Sequence, residues 1–190
     1  MTTDHTESAL NGKKIAFLVA PEGIEQVELT EPWRAVEEAG GQPVLVSTDA
    51  GEVQAFHHLD KGDTFPVDVT VDEASSEDYL ALVLPGGVAN PDALRTDDTA
   101  VAFIKSFFDD DRPVAAICHA PWTLVEAGIL EGRTLTSWPS LRTDITNAGG
   151  RWVDEEVVVD RTLVTSRNPD DLPAFNQALV DLFTHAAQAV

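Results

Sequence analysis

Cysteine is nearly missing from this chain: Cys118 is the only one in 190 residues. One thiol closes no internal disulfide and builds no cysteine zinc cage, so a disulfide scaffold and a cysteine-rich metal module are both excluded. Lysine is almost as scarce, with only Lys13, Lys14, Lys61 and Lys105. Together with arginine it gives 12 basic residues against 33 acidic ones, a formal net charge of −21. A polyanion of this size repels phosphate backbones, which argues against nucleic acid as a partner, and anionic membrane surfaces are disfavoured for the same reason. No run approaches the roughly 20 apolar residues that a membrane helix needs. Met1–Gly12 also has no apolar segment of the kind a secretory signal carries. The expectation is a cytoplasmic protein without a membrane partner.

What is present supports one packed domain. Hydrophobic residues make up 43% of the chain, enough to bury a core, and there is no internal repeat or low-complexity linker. Met1–Gly12 reads as a flexible N-terminal tail and 13–190 as a single domain. Acids crowd Asp72–Asp78 and Asp109–Asp111. Such a surface suits a high-salt cytoplasm, where screening removes self-repulsion, but a solvated acidic face in ordinary cytosol is the simpler reading.

The order of elements predicts an α/β fold with a mostly parallel sheet. Lys14–Ala20 is a short apolar run closed by Pro21-Glu22-Gly23, the pattern of a buried strand. Val27, Leu29, Trp33, Val36 and Ala39 then recur at helical spacing, with acids between them and Gly40-Gly41 as the stop. Val44–Val46 is a second strand, and β-α-β order implies a right-handed crossover. Gly51–Val71 is irregular and reads as a small hairpin. Leu80–Leu84 and Pro113–Ile117 are further buried strands, with a helix over Asp97–Asp110 between them. A helix over Trp122–Ala127, a strand at Thr134–Thr136, a helix around Leu141–Ala148, a turn-linked strand pair (Val157–Val159, Leu163–Thr165) and a closing helix to Ala187 complete the chain.

In open parallel sheets, ligands gather beyond the carboxyl ends of the strands. Three such ends carry unusual residues: Glu22–Glu25, Pro85–Asn90 and Cys118-His119. A cysteine within an apolar strand is usually a small core residue. Cys118, however, sits at the last strand position with a helix starting at once, the sharp turn that projects a nucleophile from the top of a sheet. The helix start favours its thiolate. Gly87 allows close backbone approach and positive φ, so its N–H, with that of His119, could form an oxyanion hole for a carbonyl adduct on Cys118. Glu25, beyond the first strand, is expected to hold a proton and donate it to sulfur. His119 is a candidate general base or acid. His57 and His58 read as solvent-facing hairpin residues, and His5 and His185 take no role.

Glu25-Gln26-Val27-Glu28-Leu29, Leu84-Pro85-Gly86-Gly87 and Ala116-Ile117-Cys118-His119-Ala120-Pro121 resemble the DJ-1/PfpI superfamily. The nearer branch is the PfpI-like group of intracellular proteases and general stress proteins. Thr136-Ser137-Trp138-Pro139, Asn147-Ala148-Gly149, Val157–Asp160 and Thr165-Ser166-Arg167 extend the likeness, which runs in order from Lys14 to Phe183. The resemblance implies a flavodoxin-like three-layer sandwich that assembles as a homodimer or larger ring. It maps the nucleophile onto Cys118, the thiolate-supporting acid onto Glu25 and the histidine onto His119. It further implies an acid from a neighbouring subunit that orients the histidine; Asp92, in a loop one residue longer than the family's, is the candidate. Ala120 stands where the family has glycine, which narrows the pocket.

Members are described as peptidases, as glyoxalases or deglycases acting on methylglyoxal adducts, and as redox-responsive stress proteins. The implied substrates are thus small carbonyl compounds, peptides or glycated proteins, with no metal, glutathione or other cofactor. A non-catalytic sensor, in which Cys118 oxidises to a sulfinate held by Glu25, is the alternative. A glutamine amidotransferase is excluded, because the only histidine after His119 is His185, followed by alanines.

Overall fold

A computed structural model describes residues 10–189. In chain order, β1 (Lys14–Val19), β2 (Glu22–Glu25), α1 (Gln26–Glu38) and β3 (Gln42–Ser47) come first. The hairpin of β4 (Glu52–His57) and β5 (Asp60–Pro66), then β6 (Val69–Thr70), β7 (Ala81–Leu84), α2 (Ala89–Leu94) and α3 (Asp98–Asp109) follow. After β8 (Val114–Ile117) come α4 (Pro121–Glu126), β9 (Thr134–Leu135), α5 (Arg142–Asn147), β10 (Arg151–Trp152), β11 (Val157–Asp160), β12 (Leu163–Ser166) and α6 (Leu172–Gln188).

Seven strands form the central sheet in the order β11-β12-β8-β7-β1-β3-β6. All neighbours run parallel except β11, which returns antiparallel on β12. The near-continuous apolar character of β1, β7 and β8 follows from this arrangement: a parallel strand covered on both faces has no solvent side. Successive side chains alternate between the two covers. Ala16, Leu18, Leu82, Leu84, Val114 and Ala116 share one core with α3. Ile15, Phe17, Val19, Val83, Ala115 and Ile117 share the other with α1 and α6. In α3 the buried stripe Ala100, Phe103, Ile104, Phe107 has the i, i+3, i+4, i+7 spacing of an amphipathic helix. Its start is fixed by Asp97, whose carboxylate accepts the Ala100 N–H at 2.8 Å. The result is the expected three-layer α/β sandwich.

Two features depart from the sequence reading. Glu22–Glu25, placed by the sequence only beyond the end of the first strand, is itself a strand that pairs in parallel with β4 and makes a separate three-stranded sheet, β2-β4-β5. This side sheet carries the β4–β5 turn toward the ends of β1 and β8. Of the expected N-terminal tail, residues 1–9 lie outside the described residues, while Leu10 is fully buried and donates its N–H to the Ala39 carbonyl at 2.8 Å. No helix among the described residues is long and apolar enough to cross a membrane.

Candidate active site

A pocket of about 360 Å³ opens beyond the carboxyl ends of β1, β7 and β8, and Glu25, Glu28, Gly87, Cys118, His119 and Trp138 are among its walls. Cys118 lies immediately after β8 with φ 64°, one of the few non-glycine residues in the left-handed region. That conformation costs roughly 1–2 kcal/mol for an L residue. Two backbone bonds hold it there. The Cys118 N–H donates to the Ser166 carbonyl at 3.0 Å, and the Trp138 N–H donates to the Cys118 carbonyl at 2.9 Å. The sharp strand-to-helix turn expected from sequence is therefore present, clamped from β12 on one side and from the segment after β9 on the other.

The carboxyl beside the sulfur is that of Glu28, in the first turn of α1. Glu25, expected there, sits one helical turn away. Its Oε2 accepts the His58 backbone N–H at 3.0 Å and so ties the β4–β5 turn to the end of β2. Glu28 is fully buried. Neither of its oxygens meets a hydrogen-bond partner at standard geometry, and its polar neighbours are the Cys118 thiol and the backbone N–H groups of Gly86 and Gly87. Burial is the main reason its pKa rises to about 8, with the charge of Glu25 adding to the effect. At neutral pH Glu28 is accordingly a carboxylic acid that still holds its proton.

Burial also pushes the Cys118 thiol above its ordinary value, and the nearby Glu28 carboxyl adds to this. The backbone N–H groups of Gly87 and His119 act in the opposite sense and are outweighed. The expected resting thiolate is thus opposed by desolvation, which the sequence could not weigh, and the short helix after the elbow does not overturn it. The backbone N–H groups of Gly87, at φ 83°, and of His119 both lie against the Cys118 sulfur. Gly86 matters for space: a Cβ there would collide with Glu28 Oε2 and come within 2.6 Å of Cys118 Cβ.

His119 Nδ1 lies 3.2 Å from Cys118 Sγ. Burial lowers the imidazole pKa to about 4, so at neutral pH the ring is uncharged and one nitrogen is free to accept a proton. Trp138 stacks on the ring at 5.4 Å and 22°, and Trp122 tilts against it at 5.7 Å. Among the described residues no carboxylate hydrogen-bonds His119. Asp92 is on the exposed side of α2. His58 is a turn residue of the hairpin, as expected, although that turn also edges the pocket.

Sequence reasoning missed Glu28, Trp138 and the hairpin tip. For Glu28 a signal existed: it is in phase with Pro32 and Val36 at i+4 and i+8, and these three with Leu29 form the buried face of α1.

Residues 13–182 match the DJ-1/PfpI family. The chain belongs to the DJ-1/PfpI family. It is 42% identical over 169 residues to Deglycase PfpI of Pyrococcus furiosus, covering 89% of this chain and 98% of that protein. It is 45% identical over 167 residues to General stress protein 18 of Bacillus subtilis, covering 87% and 95% of the two chains. Among solved structures, a two-domain protein of Anabaena variabilis with DJ-1/ThiJ/PfpI-like and ferritin-like domains superimposes with a TM-score of 0.83 at 31% identity, over 89% of this chain and 47% of that one. The fold expected from the motifs is the fold of this DJ-1/PfpI chain.

Proposed function

We propose that this DJ-1/PfpI protein is a cytoplasmic cysteine-dependent enzyme that acts on carbonyl compounds, as a glyoxalase or protein deglycase. The observation that carries the reading is the juxtaposition of Cys118 with a buried, proton-holding Glu28 and an uncharged His119. The naming of similar proteins as deglycases supports it.

On a 2-oxoaldehyde the chemistry runs as follows. Sγ of Cys118 bonds to the aldehyde carbon while His119 Nδ1 takes the thiol proton. The carbonyl π pair moves to oxygen, which is held by the Gly87 and His119 N–H groups and takes the Glu28 proton. The Glu28 carboxylate so formed removes the proton from the hemithioacetal carbon. The electron pair moves into a C=C bond, and the neighbouring ketone oxygen takes the proton from His119. Glu28 then protonates the second carbon and recovers its proton from the first hydroxyl, leaving a thioester. Water cleaves that ester to a 2-hydroxy acid and the free thiol. A carboxyl whose pKa sits near working pH is suited to giving and taking protons in this way. Amide hydrolysis asks more, because an amide is a poorer electrophile and, among the described residues, no carboxylate of its own chain orients His119. Asp92 of a second copy in a homo-oligomer would supply one.

The test is turnover of methylglyoxal, a glycated peptide and a fluorogenic peptide by the wild type beside Cys118→Ser. The expected result is loss of methylglyoxal and deglycase turnover in the variant with its melting temperature retained. Unchanged turnover in Cys118→Ser overturns the reading. A redox-sensing role draws on the same pair: two equivalents of peroxide would each pass one oxygen to sulfur and leave as water, and the Glu28 proton would bond the sulfinate. A stable two-oxygen adduct by intact mass, without methylglyoxal turnover, would favour that role.

A further inference from the structure

The exposed large hydrophobic residues of this acidic protein are not scattered. Among the described residues they are Leu59 (94% exposed), Val88 (57%), Val159 (56%) and Trp138 (39%), and all but Val159 border the pocket that holds Cys118. Apolar surface gathered at one cleft marks a recognition site.

The polar side of the pocket is equally one-sided. Among the described residues it is lined by no lysine or arginine and by no serine, threonine, asparagine or glutamine; its ionisable groups are Glu25, Glu28, His58, Cys118 and His119. An anionic ligand would find no cation there and would face Glu25, within a chain of formal charge −21. A polyhydroxylated ligand would find few side-chain partners.

The hairpin tip presents an apolar side chain at a turn position that packing does not demand. His57 and Asp60 pair across a connection of two residues, His58-Leu59. Such turns favour glycine, asparagine or aspartate where φ is positive, yet His58 holds φ 60° and the next residue is a leucine open to solvent. Glu25 accepts the His58 N–H and fixes the tip beside the pocket. Trp138 lies at the same opening, stacked on His119 and still partly exposed.

We infer that the pocket selects uncharged carbonyl compounds bearing an apolar, flat substituent and turns away anionic ones, with Leu59 and Trp138 as the residues that set the preference and Glu25 as the positioning residue for the Leu59 turn. This deepens the carbonyl reading of the site and rests on it for the identity of the reacting group. The selectivity itself can be measured without turnover.

Cys118 is the only thiol in the chain, so alkylation reports on this pocket alone. Iodoacetamide, iodoacetate and N-benzyl iodoacetamide each form an S–C bond with loss of iodide, the thiol proton going to solvent. The rates at Cys118, followed by intact mass, are divided by the rates of the same reagents at glutathione. The normalised order expected is N-benzyl iodoacetamide at least tenfold above iodoacetamide, and iodoacetate at least tenfold below it. Leu59→Ser, at a fully exposed turn position, should lower the benzyl preference several-fold, and Glu25→Gln should lower it through the loosened turn while relaxing the exclusion of iodoacetate. Normalised rates within twofold of one another overturn the inference even if methylglyoxal is turned over. The expected rate order without any methylglyoxal turnover leaves the selectivity standing and removes the enzymatic reading instead. A change of oligomeric state on size exclusion for Leu59→Ser, with the rate ratios intact, means that a second copy covers the rim and also overturns the inference.

Discussion

Replacing Glu28 by glutamine changes one atom of a buried side chain and removes its titration. Folding raises the Glu28 pKa from 4.5 to about 8, so the folded state binds this proton more tightly than the unfolded state does. The sign follows from linkage: the contribution to stability is fully present below pH 4.5 and is lost as pH rises through about 8. Each pH unit inside that window is worth about 1.4 kcal/mol, which bounds the total on the order of 5 kcal/mol. Glutamine keeps the size and the hydrogen-bonding capacity but carries no charge to desolvate, so Glu28→Gln should not lose this contribution. Urea unfolding of both proteins at pH 5, 6, 7 and 8 in one fixed salt concentration gives the difference directly. The remaining acids cancel, because they are common to both chains. The variant should gain on the wild type by about 1 kcal/mol or more per pH unit between pH 5 and 7, flattening above 8. Parallel stability curves across that range would refute the claim that Glu28 is buried without a charge partner.

Gly86→Ala should abolish reaction at Cys118 or force the local backbone to move, because its Cβ would occupy the space of Glu28 Oε2; normal iodoacetamide reactivity with an unchanged melting temperature would show that the contact is looser than described. Phe107→Ala should lower stability by about 3–5 kcal/mol, since Phe107 is fully buried against Phe103 in the α3 core, and a smaller shift in urea midpoint would mean that the cavity collapses. Raising KCl from about 0.1 to 1 M shortens the screening length from about 10 to 3 Å, so the urea midpoint should climb if a net charge of −21 strains the fold; a flat response would make the acidic surface neutral for stability.

The strands, the elbow and the double glycine were legible because each is a local pattern. Runs such as Ala115-Ala116-Ile117 have no polar face because a parallel sheet needs none, and a cysteine at the junction with a following helix has few conformations open to it. The protonation states were not legible. They depend on how completely the sandwich excludes water from Cys118, Glu28 and His119, a property of layers assembled from distant segments. The hairpin tip was equally hidden, because only the pairing of β2 with β4 brings Leu59 to the pocket.

The two acids of Glu25-Gln26-Val27-Glu28 show how one helical turn divides structure from chemistry. Glu25 ends β2 and precedes the helix, so its backbone belongs to the side sheet and its carboxylate accepts the His58 N–H. Glu28 is three residues on, which in a helix turns its side chain toward the face that carries Pro32 and Val36 into the core. An acid on that face must find a partner or keep its proton. Gly86 leaves room for it, and the Cys118 sulfur is the neighbour it finds. An acid buried at this position, with no cation beside it among the described residues, costs the fold stability wherever it must ionise. The strand-borne acid holds the hairpin turn beside the pocket, and the helix-borne acid keeps its proton next to the sulfur.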